Sequence, residues 1–484
     1  MQRKKNGVTL YNAGLIIVAI FLAVTAAANR KEQVSKRKEV LLRELSQAKS
    51  VMSAQPEGLH WEQVVEDGFG DLRNDYVWAM SSFTDIQGSE WIYAGTLNSY
   101  RWEKGAQVWR SATGEPGSFE YVRAFPGCEG VRGATTYKGL LWLGTANILK
   151  PGKCNIWVTD GTSWKLANRP GFGIGAKSTR GIVVYRGELY ADAGAGSSLG
   201  FSAKIFKYTG TIEEGNLDSI NSASWECVSP EWQAPVNSIG EIREFKGDLY
   251  IGTWAIGTAA AALSDMSKDI DSLLGADVYR YQGDDEAWER VVSNGFGDPK
   301  NGAILSSAVF KDYLYVGTMN ARPGTNGGEV PLHLDGAEVW RTMNGTDWEP
   351  VTTNGNLGGL QNRYGNAYMW SMAVFDDHLL IGTFNPLTGC EIWASESGAP
   401  NSFRQINISG MESGRNKVET VYNDETYYRN EQYGARTFAI FQDKLYVGTA
   451  TWALHADLVS LVFGLANYWH SSRVGCEVWR IDHL

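Results

Sequence analysis

The stretch from Tyr313 to Val351 reads YLYVGTMN, then a polar insertion, then GAEVWRTMNGTDWEPV. In its first part the side chains alternate between two faces with a period of two, which is typical of a strand. A second strand is predicted where the sequence reads EVWR. Asn344-Gly345 favours a tight turn, and Trp348 begins a third strand. The stretch therefore predicts a meander of short antiparallel strands with no helix between them.

The same pattern recurs along the chain, and each copy has a strand that resembles YLYVGT. These strands are WIYAGT (91–96), LLWLGT (140–145), ELYADA (188–193), DLYIGT (248–253), HLLIGT (378–383) and KLYVGT (444–449). Each is followed by a strand similar to EVWRT and preceded by a strand that ends in Phe or Tyr. Seven similar units of this kind predict an all-β repeat fold rather than several separate domains.

An outer strand follows in six units but is missing from the seventh, whose chain ends at Leu484. The segment Trp61–Val65, followed by GFGD, closely matches Trp288–Val292, which is also followed by GFGD. We therefore expect Trp61–Val65 to complete the last unit, because closing the ring leaves no exposed sheet edge. The predicted fold is a seven-bladed β-propeller of four-stranded blades that spans residues 58–484.

The composition and net charge of the chain argue against some classes of function. The 484 residues carry a net charge of −10, which argues against nucleic-acid binding because that needs a basic face. The five cysteines, an odd number, do not predict a disulfide framework. A single disulfide between Cys128 and Cys154 stays open for an oxidising compartment. The chain has no CxxC pair and no phosphate-binding glycine loop, so no metal or cofactor is predicted.

The N-terminal residues 1–29 contain the apolar run GLIIVAIFLAV after a basic start. The run is about long enough for a membrane helix of roughly 20 residues. It also fits a signal peptide with cleavage at Ala28. We expect a retained single-pass anchor, a helical stalk over residues 30–57 and an extracytoplasmic propeller.

The hairpins between the third and outer strands resemble turns that are known from one family of propellers. Residues 159–164 (TDGTSW) and 342–348 (TMNGTDW) resemble degenerate Asp-box turns, which occur at this hairpin in bacterial neuraminidase-type propellers. The resemblance covers the hairpins only. It implies a propeller fold and no activity, because the boxes of that family are structural.

Departures from the repeat indicate candidate catalytic residues. Asp192 stands where the other six units have Gly. Glu241 stands where they have a small residue, and Arg243, two residues on, faces the same side of the strand. Two carboxylates and an arginine at the mouth of the propeller's central channel are suited to acid–base catalysis on a sugar. A structural ion pair is the competing interpretation.

A second set of candidates suits ligand binding on the face that carries the long loops. Arg132, Arg180 and Arg436 share one position on the first strands, where Trp78 and Trp370 also occur. The remaining predicted ligand-binding residues are Asn98, Asn147, Asn320, Asn385, Trp254 and Trp452. A polar and aromatic ring would bind a glycan, whereas the competing interpretation of the asparagines is that they cap loops.

The segment 452–469 (WALHADLVSLVFGLANYW) is unusually apolar for a loop and predicts either local packing or a contact with a partner or membrane surface. The leading expectation is a membrane-anchored module that binds a glycan or a protein. The alternatives are a polysaccharide hydrolase or lyase and a structural subunit of a membrane complex.

Overall fold

The computed structural model describes residues 59–98, 105–147, 155–194, 202–232, 236–255, 275–283, 287–320, 322–323, 332–333, 336–352, 357, 366–385, 389–411, 417–422, 425–451 and 474–484. The described chain is all-β apart from two short 3-10 turns, Pro170–Gly173 and Leu217–Ser219.

The strands are grouped below by sequence repeat. The first half of the chain contains β1 Glu62–Val65, β2 Asn74–Thr84, β3 Glu90–Asn98, β4 Ala106–Ser111, β5 Glu120–Phe125, β6 Gly130–Tyr137, β7 Leu140–Ala146, β8 Ile156–Thr159, β9 Trp164–Leu166, β10 Ile182–Tyr185, β11 Glu188–Ala193, β12 Lys204–Tyr208 and β13 Trp225–Cys227. The second half contains β14 Val236–Phe245, β15 Asp248–Ala255, β16 Val278–Tyr281, β17 Glu289–Val292, β18 Ala303–Phe310, β19 Tyr313–Met319, β20 Arg322–Pro323, β21 Leu332–His333, β22 Val339–Thr342, β23 Trp348–Thr352, β24 Tyr368–Phe375, β25 His378–Phe384, β26 Ile392–Ser395, β27 Arg404–Gln405, β28 Lys417–Tyr422, β29 Glu425–Asn430, β30 Gln432–Phe441, β31 Lys444–Thr451 and β32 Val478–Ile481.

Antiparallel pairing sorts most of the described strands into seven groups of four, which we call units 1 to 7. Units 1 to 4 are β2–β5, β6–β9, β10–β13 and β14–β17. Unit 5 is β18, β19, β22 and β23, and unit 6 is β24–β27. Unit 7 is β30, β31, β32 and β1. The predicted pairing of the N-terminal strand with the last unit is therefore confirmed.

The first strands of the units contact one another in cyclic order. Each of β2, β6, β10, β14, β18, β24 and β30 contacts the next, and β30 contacts β2. Arg480 of β32 connects units 7 and 1. Its guanidinium binds the carboxylates of Glu62 and Glu115, and its Nη1 donates a hydrogen bond to the carbonyl oxygen of Gly114 at 3.4 Å. Glu62 belongs to β1, and the other two residues belong to the outer hairpin of unit 1. The first and last units are thus held together at the outer strands as well as at the first strands.

A buried carboxylate explains the EVW pattern of the repeat. In unit 5 the Oε2 of Glu338 accepts hydrogen bonds from Trp340 Nε1 at 2.9 Å and from Asn301 Nδ2 at 2.6 Å. In unit 6 the Oε2 of Glu391 accepts from Trp393 Nε1 at 3.0 Å, in the same geometry. A buried acid must be hydrogen-bonded, so the Glu and the Trp two residues later act as a pair.

The two GFGD segments adopt the same conformation. Phe69 and Phe296 both have positive φ, at 61° and 62°. Phe69 stacks on Trp109 at 5.1 Å, and Phe296 stacks on Trp340 at 4.5 Å. This similarity explains why the sequence match identified the partner of β1.

The Asp-box-like turns are also alike. Asp160 Oδ1 accepts from the amides of Thr162 at 2.8 Å and Ser163 at 2.7 Å. Asn344 Oδ1 accepts in the same way from the two residues that follow Gly345, at 3.0 and 2.8 Å. Each side chain closes the turn by replacing a backbone acceptor.

One of these turns packs against the preceding unit, and this contact gives a prediction. Gly345 has a φ of 85°, and a Cβ added there would lie 1.8 Å from the hydroxyl of Tyr250. We expect Gly345→Ala to lower the free energy of unfolding by about 2 kcal/mol, measured by denaturant unfolding.

Gly297 provides the matched control, since its φ is 88° but a Cβ there would meet nothing within 4 Å. Gly297→Ala carries the same backbone strain without the clash. Equal losses in the two variants would show that the contact with Tyr250 contributes nothing.

Several predictions fall on residues outside the described ranges. These are the anchor and stalk at residues 1–57, Cys154, Trp452 and the apolar segment 452–469. Among the described residues, which begin at position 59, no helix is long and apolar enough to cross a membrane. Two of the predicted long loops contain short hairpins, formed by β20 with β21 and by β28 with β29.

Candidate ligand site at the centre of the ring

A β-bulge at the same position marks the first strand of six units. The register shifts there leave one residue outside the ladder in each: Trp78, Arg132, Gly240, Leu305, Trp370 and Arg436. In unit 3 the equivalent residue is Arg180, which directly precedes the Gly181 that pairs with Asp192. A bulge re-aims the extra side chain. We call these seven residues the bulge ring.

Arginines and tryptophans of the bulge ring pack on one another. The guanidinium carbon of Arg132 lies 5.2 Å from the ring centroid of Trp78 and 5.9 Å from that of Trp254. The guanidinium carbon of Arg436 lies 5.3 Å from the centroid of Trp370. These are cation–π distances. The predicted ligand-binding residues Arg132, Arg436 and Trp254 are therefore all part of one arginine–aromatic arrangement.

Tyr76 links the two halves of this arrangement. Its ring makes edge contacts with Trp78 at 6.0 Å and with Trp370 at 5.6 Å. Trp78 and Trp370 can be found from the sequence because they occupy the arginine position of the repeat, whereas nothing in the repeat identifies Tyr76.

Arg180 reaches past unit 4 to contact unit 5. Its Nη2 donates to the carbonyl of Leu305, two units away. Gly240 stands between them, and a Cβ added there would lie 1.9 Å from the carbonyl oxygen of Ile304. Only glycine allows this close approach of strands. The three arginines thus occupy one central region, although they come from units 2, 3 and 7.

The charged groups of the central region act on one another. Burial, and then the charges of Arg180 and Arg132, lower the pKa of Arg436 well below its ordinary value. Burial also lowers the pKa of Arg180, against the opposing effect of the carboxylates of Glu241 and Asp192. The guanidinium groups are therefore close enough to repel one another.

Asp192 is wholly buried and binds the backbone. Its Oδ1 accepts from the amide of Arg180 at 2.6 Å and from that of Gly181 at 2.7 Å. Its Oδ2 is buried without a hydrogen-bond partner among the described residues. Burial raises the pKa of Asp192 to about 6, although the amides and the nearby arginines oppose the shift.

Glu241 and Arg243 lie on the same side of β14, as predicted. Their closest atoms, Arg243 Nη2 and Glu241 Oε1, are 3.4 Å apart. Ser307 joins them, since it donates to Glu241 Oε1 at 2.8 Å and accepts from Arg243 Nε at 2.9 Å. The hydrogen bonds of Asp192 go to backbone amides instead, so these carboxylates do not form one hydrogen-bonded pair. A role for the three residues in hydrolysis or elimination stays a prediction.

The four GTxN asparagines are buried and connect neighbouring units. Their backbone amides donate to carbonyls of the next unit in the pairs Asn98–Glu129, Asn147–Lys177, Asn320–Ala367 and Asn385–Tyr433. The side chain of Asn385 donates to Asn366 Oδ1 at 3.2 Å. The side-chain contact of Asn385 lies within its own unit, so the contacts that join units come from the backbone amides. A role of the four asparagines in binding a ligand or in capping their loops stays a prediction.

No family model matches the chain. A search of curated proteins also finds no match.

Among solved structures, the chain is similar to the Niastella koreensis GH74 enzyme, with 14% identity and a TM-score of 0.44 over 78% of this chain and 51% of that one. The chain thus spans about half the length of that enzyme. It is also similar to the WD40 β-propeller domain of Doa1, with 10% identity, a TM-score of 0.42 and coverage of 87% and 96%. A third similar structure is the fucose-specific lectin from Aleuria aurantia, with 10% identity and a TM-score of 0.37 over 70% of this chain and 97% of that one. At these values the similarity assigns neither a family nor an activity.

Proposed function

We propose that residues 58–484 form a seven-bladed β-propeller closed by the N-terminal strand. Three observations support the proposal: the seven four-stranded units, the cyclic contacts of their first strands, and the clasp of Arg480 on Glu62 and Glu115. The Asp-box-like turns at Asp160 and Asn344 support the same architecture.

We propose further that the chain is a binding module for a glycan, with its site at the bulge ring. The observation that carries this proposal is the packing of Arg132 on Trp78 and of Arg436 on Trp370 in one central region. Aromatic side chains beside a few fixed polar groups are the usual lining of a ligand site. The bulge ring also lies in the half of the first strands that is nearer to the long loops. A protein partner that binds the face with these loops is the alternative ligand.

A polysaccharide panel tests the proposal. The full-length protein, purified in detergent, would be incubated with neutral and charged polysaccharides, and both retention and the release of shorter products would be recorded. Retention without products is the expected result. New products would instead favour the hydrolase or lyase, with Glu241→Gln as the first variant to assay. A lack of retention and of products across the panel would contradict glycan binding.

We also propose that residues 1–29 anchor the protein in the membrane, that 30–57 form a stalk, and that the propeller is extracytoplasmic. The apolar run after a basic start motivates this proposal. Protease added to intact cells is expected to degrade the propeller. Protection of the propeller in intact cells and its degradation after lysis would contradict the orientation.

A further inference from the structure

We propose that the chain's own residues 36–52, which we call the basic segment, bind the face of the propeller that carries the turns between first and second strands. We call this face the short-loop face. The long-loop face, with the bulge ring, then points away from the membrane. The inference goes beyond glycan binding. It rests on the proposed propeller, anchor and stalk, and it uses no residue of the bulge ring.

Three exposed aliphatic side chains occupy one repeat position in consecutive units. Val309, Val374 and Ile440 precede the aromatic residue that ends the first strand of units 5, 6 and 7, and they are 43%, 37% and 42% exposed. These first strands contact one another in order. The equivalent residues of units 1, 2 and 4 are the polar Ser82, Thr136 and Glu244. We call the three aliphatic residues the aliphatic arc, since exposed apolar groups that cluster mark an interaction site.

The chain reaches the first described strand at this same face. The end of β32 pairs with the beginning of β31, directly after the turn between the first two strands of unit 7, so β1 begins at the short-loop face. The partly buried Leu59 packs into the apolar cluster that contains Phe375, the residue after Val374. The residues that precede Leu59 therefore start beside the aliphatic arc.

The basic segment complements this part of the face in charge. It reads KRKEVLLRELSQAKSVM, with five basic and two acidic side chains, so its net charge is +3 in a chain of net charge −10. The turns beside the arc carry exposed carboxylates at Asp312, Asp376, Asp377 and Asp443. The basic residue of these turns, Lys311, already donates to the carbonyl oxygen of Glu396. Opposite charges of this kind favour association and fix its orientation.

The segment also has the apolar content and the reach that the contact needs. It contains the run Val40-Leu41-Leu42 and then Leu45, which would remove the aliphatic arc from water. Fourteen residues lead from Leu45 to Leu59, and an extended chain of that length spans up to about 50 Å. Such a tether raises the effective concentration of the segment at the face to the millimolar range.

Two other occupants of the short-loop face are less favourable. A second copy of the chain that bound through the same arc would bring the acidic turns of both copies together, and like charges oppose such a contact. An anionic membrane surface would be repelled by the same carboxylates. The basic segment meets neither objection.

Zero-length cross-linking tests the contact. The full-length protein in detergent would be treated with a carbodiimide, which joins amines to carboxylates in direct contact, and the monomeric and dimeric bands would be digested for mass spectrometry. We expect Lys36, Lys38 or Lys49 to be joined to a carboxylate of the turns beside the arc, within the monomeric band. Links to these turns in the dimeric band alone would assign the face to a second copy and overturn the proposal. The absence of such links from both bands would overturn it as well.

Limited proteolysis of a variant tests the role of the arc. Val374→Ser combined with Ile440→Ser removes apolar surface without adding charge, so trypsin should cleave after Arg43 about 10-fold faster, because cleavage follows the released fraction of a bound segment. Leu72→Ser is the matched control. Leu72 is 45% exposed but lies between the end of β1 and the beginning of β2, at the long-loop face, so its loss should leave the rate unchanged.

Equal rates in the double variant and the unmodified protein would overturn the proposal. If the double variant does not fold, the cross-links of the unmodified protein still decide the question. Retention of a polysaccharide without the cross-link would overturn this inference alone, whereas the cross-link without retention of any polysaccharide would overturn only the proposed binding function.

Discussion

Replacement of Arg480 by alanine is expected to lower the free energy of unfolding by about 2–3 kcal/mol. The side chain is 6% exposed and binds Glu62 of β1 and Glu115 of unit 1. Breaking a fully buried ion pair costs about 3–5 kcal/mol, because the remaining charge is left unpaired. The partners here are 41% and 51% exposed and regain water after the change, so the loss should be smaller.

The measurement is denaturant unfolding of the full-length protein, followed by circular dichroism. Arg404→Ala serves as the control, because Arg404 is exposed on the outer strand β27. A surface change of this kind should alter the free energy of unfolding by no more than about 0.5 kcal/mol. An Arg480→Ala variant as stable as the control would contradict the view that the junction between units 7 and 1 holds the ring closed.

Replacement of Asp192 by asparagine is expected to remove a pH-dependent part of the stability. The folded protein holds the pKa of Asp192 at about 6, above the ordinary 3.8, mainly through burial. Below pH 3.8 the carboxyl group is protonated in both states, and its contribution to stability is fully present. As the pH rises to about 6 the unfolded chain gives up its proton first, so this contribution is lost.

The size of the effect follows from the shift. From 3.8 to about 6 is a difference of about 2.2, and each pKa unit corresponds to about 1.36 kcal/mol, which gives about 3 kcal/mol. Asparagine cannot ionise, yet its oxygen still accepts from Arg180 and Gly181. Between pH 4 and pH 7 the stability of Asp192→Asn relative to the unmodified protein should therefore rise by up to about 3 kcal/mol. A difference in stability between the two proteins that stayed constant across this pH range would contradict a raised pKa of the buried Asp192 carboxyl group.

Asp160→Asn provides a control of opposite sign. Burial acts to raise the pKa of Asp160, but hydrogen bonds from Ser163 and Thr162 outweigh it and lower the pKa. A lowered pKa stabilises the fold above the unfolded value and loses that effect as the pH falls. The relative stability of Asp160→Asn should therefore fall, rather than rise, as the pH increases.

The strands and their pairing were accessible from the sequence because period-two alternation and the GFGD copies are local features. Phe69 and Phe296 repeat one backbone conformation, so a match of letters predicted the pairing of β1 with β32. The alignment of Arg132, Arg180 and Arg436 with Trp78 and Trp370 was equally readable, since all five occupy one position of the repeat.

The contacts at the centre were not accessible in this way. The bulges depend on how each first strand pairs with its own second strand, which composition does not record. The contact of Arg180 with Leu305 joins units 3 and 5, and no feature of the repeat predicts it. The close approach of strands at Gly240 depends on one residue that does not stand out in a chain with 55 glycines. The hydrogen bonds that join neighbouring units at the four asparagines could not be predicted either, because they are made by backbone amides to carbonyls of the next unit.

A crystal structure of the full-length protein with a glycan that it retains tests the proposed site most directly. We expect the ligand at the bulge ring, in contact with at least one of its arginine or tryptophan side chains. A ligand bound on the outer strands, with the bulge ring free of it, would show that the bulge ring is not the binding site.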